Sequence, residues 1–185
     1  MRKLLVLVLL LSACSTSYSE VKTVTYDKSP APHAVRFRTG AIGEFALPLS
    51  ALENARITSV GGLVFLLSNK ANFSVDTVTD TQTGHPGVDM RTWPEYLFGI
   101  KDKGSEPKAF IDDLTKSKEV IINEQVKPIE VRKFKTREGV GYWAVGKERS
   151  AIVLTSDTVK EQVAVFFTTD MSEKEIENII INGVL

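Results

Sequence analysis

The chain contains one cysteine, Cys14, which rules out a disulfide within it and any metal site built from several thiolates. Histidine is nearly as scarce, with His33 and His85 the only imidazoles available as bases near neutral pH. Neither sign of charge dominates: 23 Lys and Arg face 23 Asp and Glu. That balance argues against nucleic acid as a partner, because such binding needs a strongly basic face. No apolar run approaches the roughly 20 residues that span a bilayer as a helix. There is no internal repeat and no Gly-x-Ser-x-Gly elbow for a serine nucleophile.

The apolar run at residues 4–11 follows Arg2 and Lys3. A positive start followed by a short apolar stretch has the form of a secretory signal. It ends in Leu11-Ser12-Ala13-Cys14, which resembles the lipobox of bacterial lipoproteins. The resemblance implies cleavage before Cys14, a diacylglyceryl group on its thiol and usually an acyl chain on the new amino terminus. At about 0.8 kcal/mol per buried methylene, several chains together make a lasting anchor where one would be marginal. Ser15 in place of Asp resembles the pattern that directs lipoproteins to the outer membrane of Gram-negative cells.

Residues 1–13 are therefore expected to be a signal peptide and 14–32 a lipid-anchored tether. Residues 33–185 are read as a single domain of ordinary composition, with 43% hydrophobic and 25% charged residues over the whole chain. Losing Arg2 and Lys3 would leave 21 positive against 23 negative groups, about −2. The tether closes on Ser29-Pro30-Ala31-Pro32, where the prolines resist helix and central strand alike. Residues 21–26 are β-branched and aromatic enough to pair with an edge strand.

Short strands are expected at 33–39 and 44–47 around Gly40-Ala41-Ile42-Gly43. The consecutive apolar residues Leu63-Val64-Phe65-Leu66-Leu67 predict a strand buried on both faces. In the next strand Phe73 and Val75 alternate with Ser74 and Asp76, so one face should meet water. Residues 77–91 read as a long polar loop. Thr92-Trp93-Pro94-Glu95 then predicts a helix to about Ile100, with Thr92 as its cap and Glu95 bonding back. A second helix start lies at Ser105-Glu106-Pro107, with Phe110, Ile111 and Leu114 on one face.

From residue 126 onward the pattern is a β-meander, with strands at 129–135, 140–145, 150–155 and 162–168. The last of these should be central and covered on both sides. The capping box Ser172-Glu173-Lys174-Glu175 opens a closing helix that Gly183 is expected to stop. The whole is an α+β domain.

This order of elements, with Leu47-Pro48-Leu49 near its start and the closing segment Ile176 through Val184, resembles the DcrB-like envelope lipoproteins and the wider PsbP-like fold. The resemblance covers roughly residues 34–185. It implies an α/β/α sandwich about a mainly antiparallel sheet, and an accessory role in larger assemblies without catalysis by the domain itself.

Candidate sites are few. Gly139-Val140-Gly141-Tyr142-Trp143-Ala144 has the letters of a dinucleotide fingerprint, but apolar strand residues follow where a helix should begin, so a hairpin is expected. His85, Asp80 and Asp89 could recruit a metal or form part of a hydrolase site, yet Pro86-Gly87 breaks their spacing, and they read as surface loop residues. Lys133, Lys135 and Arg137 form a basic stripe suited to lipid headgroups or an acidic partner, or equally to the protection of an edge strand. Trp93, Tyr96 and Phe98 carry more aromatic bulk than a short helix needs for docking and are the first candidates for a partner surface if any part is exposed.

The expectation is a periplasm-facing envelope lipoprotein. It would be attached to the membrane through lipid on Cys14, have no cofactor, metal or catalytic residue, and bind another envelope protein. A small-ligand sensor or carrier, a hydrolase using His85 and an immunity-type inhibitor of an envelope toxin are the competing readings.

Overall fold

A computed structural model describes residues 21–26, 33–40 and 43–185. The signal, Cys14 and the Ser-Pro-Ala-Pro segment lie outside them, as do Ala41 and Ile42 of the expected turn.

The fold is α+β and is built on one eight-stranded sheet. In chain order its strands are β1 (Val21–Thr23), β4 (Arg56–Val60), β5 (Gly62–Leu66), β6 (Asn72–Thr79), β7 (Glu130–Lys135), β8 (Val140–Val145), β9 (Arg149–Leu154) and β10 (Gln162–Thr169). Across the sheet the order is β1-β7-β8-β9-β10-β6-β5-β4. Every pairing is antiparallel except the first, where β1 runs parallel to β7 with Val21 opposite Val131. Part of the expected tether thus belongs to the sheet. A separate hairpin pairs β2 (Ala34–Arg38) with β3 (Glu44–Pro48).

Alternation along the strands sets two layers on the sheet. On one face Phe166 of β10, Phe65 of β5 and Phe73 of β6 meet Phe45 and Phe37 of the hairpin. The Phe45 and Phe166 rings are edge-on at 5.3 Å, and Phe65 stacks on Phe73 at 4.5 Å. The closing helix lies on this same face. It runs as α4 (Glu173–Ile176), a π-helical turn at Glu177–Ile181 and α5 (Asn182–Val184), and it buries Ile176, Ile180 and Ile181.

The capping box is complete. The Glu175 N–H donates to Ser172 Oγ while Glu175 Oε2 accepts from the Ser172 N–H, which satisfies two donors that the first turn leaves open. Gly183 does not stop this helix, which runs on to Val184. A Cβ at Gly183 would strike the Ala46 carbonyl oxygen, so glycine is the residue that lets the helix lie against β3.

The opposite face carries α2 (Trp93–Leu97) and α3 (Lys108–Ser117), the latter continued by a π-helical stretch at Lys118–Val126. Phe110, Leu114, Ile122 and Val126 point into the core from this layer. The N–H of Lys127, with a left-handed φ of 51°, bonds the Ile122 carbonyl at 2.7 Å and ends the stretch. The short α1 (Leu49–Leu52) links β3 to β4.

Three further sequence expectations need correction. The 77–91 segment is not all loop, because β6 extends to Thr79 alongside β10. Thr92 does not cap α2: a 3₁₀ turn at Met90–Thr92 precedes that helix, the Thr92 hydroxyl donates to the Asp89 carbonyl, and Asp89 caps the turn through the Arg91 N–H. Finally, β5 is not buried on both faces. Phe65 is fully buried but Leu66 is 41% exposed, since the helical layer stops short of the β5–β4 end of the sheet.

Candidate functional site

Trp93, Tyr96 and Phe98 are buried, at 7%, 4% and 0% exposure, so the aromatic segment does not itself form a partner surface. Its bulk fixes α2 to the sheet and to α3. Tyr96 packs edge-on near Phe110 with ring centroids 6.4 Å apart, its hydroxyl donates to Glu106, and Lys101 sits 5.3 Å over its ring. Burial pushes the Tyr96 hydroxyl up to about 12, and the Glu106 carboxylate it faces reinforces the shift. Burial would raise Glu106 itself, but the Tyr96 hydroxyl, further hydrogen bonds and the Lys101 ammonium outweigh it and hold the carboxyl below its usual range. Glu95 does not bond back to a cap. It accepts from the Tyr142 hydroxyl at 3.1 Å and pairs with Lys133 at 3.6 Å, which ties α2 to β7 and β8.

The uncovered part of the sheet lies beside this helix. An open groove of about 270 Å³ runs between α2 and the strands β5, β6 and β10, with Trp93, Leu97 and Ile121 on the helical side and Val64, Val78 and Phe167 on the sheet. Phe167 is 37% exposed although it sits on a central strand. The Trp93 indole N–H on the groove wall has no hydrogen-bond acceptor among the described residues. Val163 and Val165 on the same face are buried, at 0% and 3% exposure, so β10 is central and covered as its pattern predicts except at Phe167. The register carries the reason for Phe167: it pairs with Ser74, whose alternation with Phe73 marks that face of β6 as wet.

The loop acids and histidine do not converge. Asp80 Oδ2 accepts the Gly87 N–H at 2.6 Å, and Oδ1 accepts the Thr81 N–H at 2.6 Å, so this carboxylate closes its own loop. The Gly87 N–H, followed by burial acting in the opposite sense and the Thr81 bonds, leaves Asp80 with a lowered pKa. Asp89 is engaged by the Arg91 guanidinium at 2.5 Å. His85 Nε2 meets Asp113 Oδ2 at 3.1 Å, and its ring lies edge-on to Phe110. No serine hydroxyl joins that pair, and no group of His, Cys, Asp and Glu fit to hold a metal is present, among the described residues. His33 is exposed, and its carbonyl accepts the Leu49 N–H.

Gly139 is in a hairpin turn, its N–H donating to Thr136 Oγ1 at 3.0 Å, and β8 follows where a nucleotide fold would begin a helix. The basic stripe divides between two environments. Lys133 is held by Glu95 and lies 5.1 Å over the Tyr142 ring, while Lys135 and Arg137 are exposed. Nor is β7 an edge strand, since β1 covers its outer side.

No family model, curated protein or solved structure matches the chain. The functional reading therefore rests on the residues and their geometry.

Proposed function

We propose that this protein is a cell-envelope lipoprotein, anchored through lipid on Cys14 and facing the periplasm from the outer membrane, whose domain binds another envelope component without catalysing a reaction. The DcrB-like and PsbP-like resemblance belongs to the same proposal. The observation that carries it is the groove beside Phe167: an apolar, half-open sheet face of about 270 Å³ beside a buried core, with Phe167 37% exposed. The interior between sheet and helices is occupied by Phe45, Phe65, Phe73, Phe110, Trp143 and Phe166, which favours recognition at the surface over an enclosed ligand. The contact of His85 with Asp113, which no serine hydroxyl joins among the described residues, supports a binding role.

The test is photocrosslinking in cells from a benzophenone amino acid at position 167, with position 81 at a remote loop as control, followed by purification of the lipidated protein. A reproducible protein adduct from 167 alone is the expected result. Absence of any adduct from 167, or equal adducts from both positions, overturns the assignment of the groove.

A further inference from the structure

The anchor reading above, combined with the position of β1, orients the whole domain. Val21 lies beside Val131 at the start of β7, so the chain enters the sheet at the pole formed by the end of the Lys118–Val126 segment, the connection to β7 and the β8–β9 turn. Only seven peptide steps separate Cys14 from Val21. Fully extended, they span about 25 Å. The pole at which β1 begins is therefore the part of the domain held nearest to the lipid to which Cys14 would be attached.

The near pole has the chemistry of a surface that meets a bilayer. An open groove of about 570 Å³ is lined there by Glu124, Lys127, Ile129, Lys147, Glu148 and Arg149, among others. Ile129 is 59% exposed, more than any other large hydrophobic side chain recorded as exposed among the described residues. Its position is fixed, because its N–H donates to the Val145 carbonyl at 2.7 Å. Gly146 brings the β8–β9 turn against the Val126 carbonyl, where a Cβ would collide, so the two halves of the groove are held in backbone contact.

Lys127, Lys147 and Arg149 form no ion pair among the described residues. Against Glu124 and Glu148, these three give the groove lining one net positive charge, on a chain that would be slightly negative once residues 1–13 were removed. We infer that this pole is the membrane-facing surface of the domain, with Ile129 seated at the level of the headgroups and Lys127, Lys147 and Arg149 against the phosphates of anionic phospholipid. The groove beside Phe167 then lies on a flank of the sheet.

The inference is tested on the full lipidated chain, reconstituted in vesicles of phosphatidylethanolamine with phosphatidylglycerol. Single fluorophores are placed on Gln125→Cys at the near pole and Thr81→Cys at the far pole, with a quencher attached to lipid headgroups. The unmutated chain should take no maleimide, since Cys14 would be a thioether. Severalfold stronger quenching at 125 than at 81 is expected, falling toward the level seen in phosphatidylcholine vesicles when Lys127→Glu and Lys147→Glu are combined. A vesicle-bound chain whose thiol is blocked, but which is quenched equally at both positions or more at 81, overturns the orientation alone. Free Cys14 thiol in chain purified from membranes overturns the anchor and the orientation together.

Discussion

The guanidinium of Arg132 lies over the indole of Trp143, 4.7 Å from the ring centroid, while its nitrogens reach Glu173 at 2.7 Å and Glu177 at 3.5 Å and also engage Glu130. One half-buried cation thus joins β7, β8 and the closing helix. Burial alone would lower the Arg132 pKa, but its carboxylate partners raise it well above the ordinary value, so it stays charged.

Replacing this cation should be costly in proportion to its burial. Removing one member of a buried pair costs about 3–5 kcal/mol, but the carboxylates here are roughly a third or more exposed, so Arg132→Met should cost about 1–2 kcal/mol. Lys135→Met, on the same strand but exposed, should stay within about 0.5 kcal/mol. Urea unfolding of both variants measures the difference.

Tyr96 sets an alkaline limit. A hydroxyl whose folded pKa of about 12 exceeds its ordinary value contributes stability that is fully present below about pH 10 and lost as pH rises through 12. Glu106→Gln removes the facing charge but leaves the burial. Tyr96 should then ionise at lower pH than in the parent, though still above an exposed tyrosine, and carbon-13 labelled tyrosine followed by NMR reads the shift. An unchanged titration would remove Glu106 from the account.

Asp80 sets the acid limit of the far loop. Its pKa is depressed, so its contribution is present above the ordinary carboxylate range and is lost as pH falls through the lower folded value. Hydrogen exchange at Gly87 and Thr81 should accelerate there relative to the β10 amides. Asp80→Ala should show the faster loop exchange already at neutral pH, with β10 unaffected.

Gly183→Ala should loosen the closing helix. The new methyl would meet the Ala46 backbone, which cannot rotate aside, so a loss of about 2–3 kcal/mol is expected together with faster exchange at residues 176–185. Gly61→Ala provides the contrast. Nothing lies within 4 Å of its Cβ position, and only its φ of +83° opposes the change, so that variant should lose about 1–2 kcal/mol without affecting the helix.

Local periodicity made much of this architecture readable. The alternation in β7 to β10 and the Ser172 capping box are short-range signals, and the structure contains both where the residues place them. Features that depend on distant neighbours were harder to see. Thr92 has the right chemistry for a cap, but Asp89 three residues earlier competes for the turn. Leu66 and Phe167 look like core residues, and their exposure follows from where the helical layer ends, which no window of sequence contains. Trp93, Tyr96 and Phe98 suggest a surface by their bulk alone, whereas they are the buried side chains that hold α2 and its C-terminal end down beside one.

The parallel pairing of β1 with β7 has a mechanical consequence. Tension applied on the N-terminal side of Val21, against a load held by the rest of the sheet, would act along the strand axis and across its hydrogen bonds, including that from the Val24 N–H to Lys133 at 2.9 Å. Those bonds would be loaded together in shear. An antiparallel strand in the same place, pulled from the same pole, would enter from the other end and peel one bond at a time. A strand of three residues can in this way act as a strain relief, passing a pull on the chain ahead of Val21 into β7 and sparing the chain that follows.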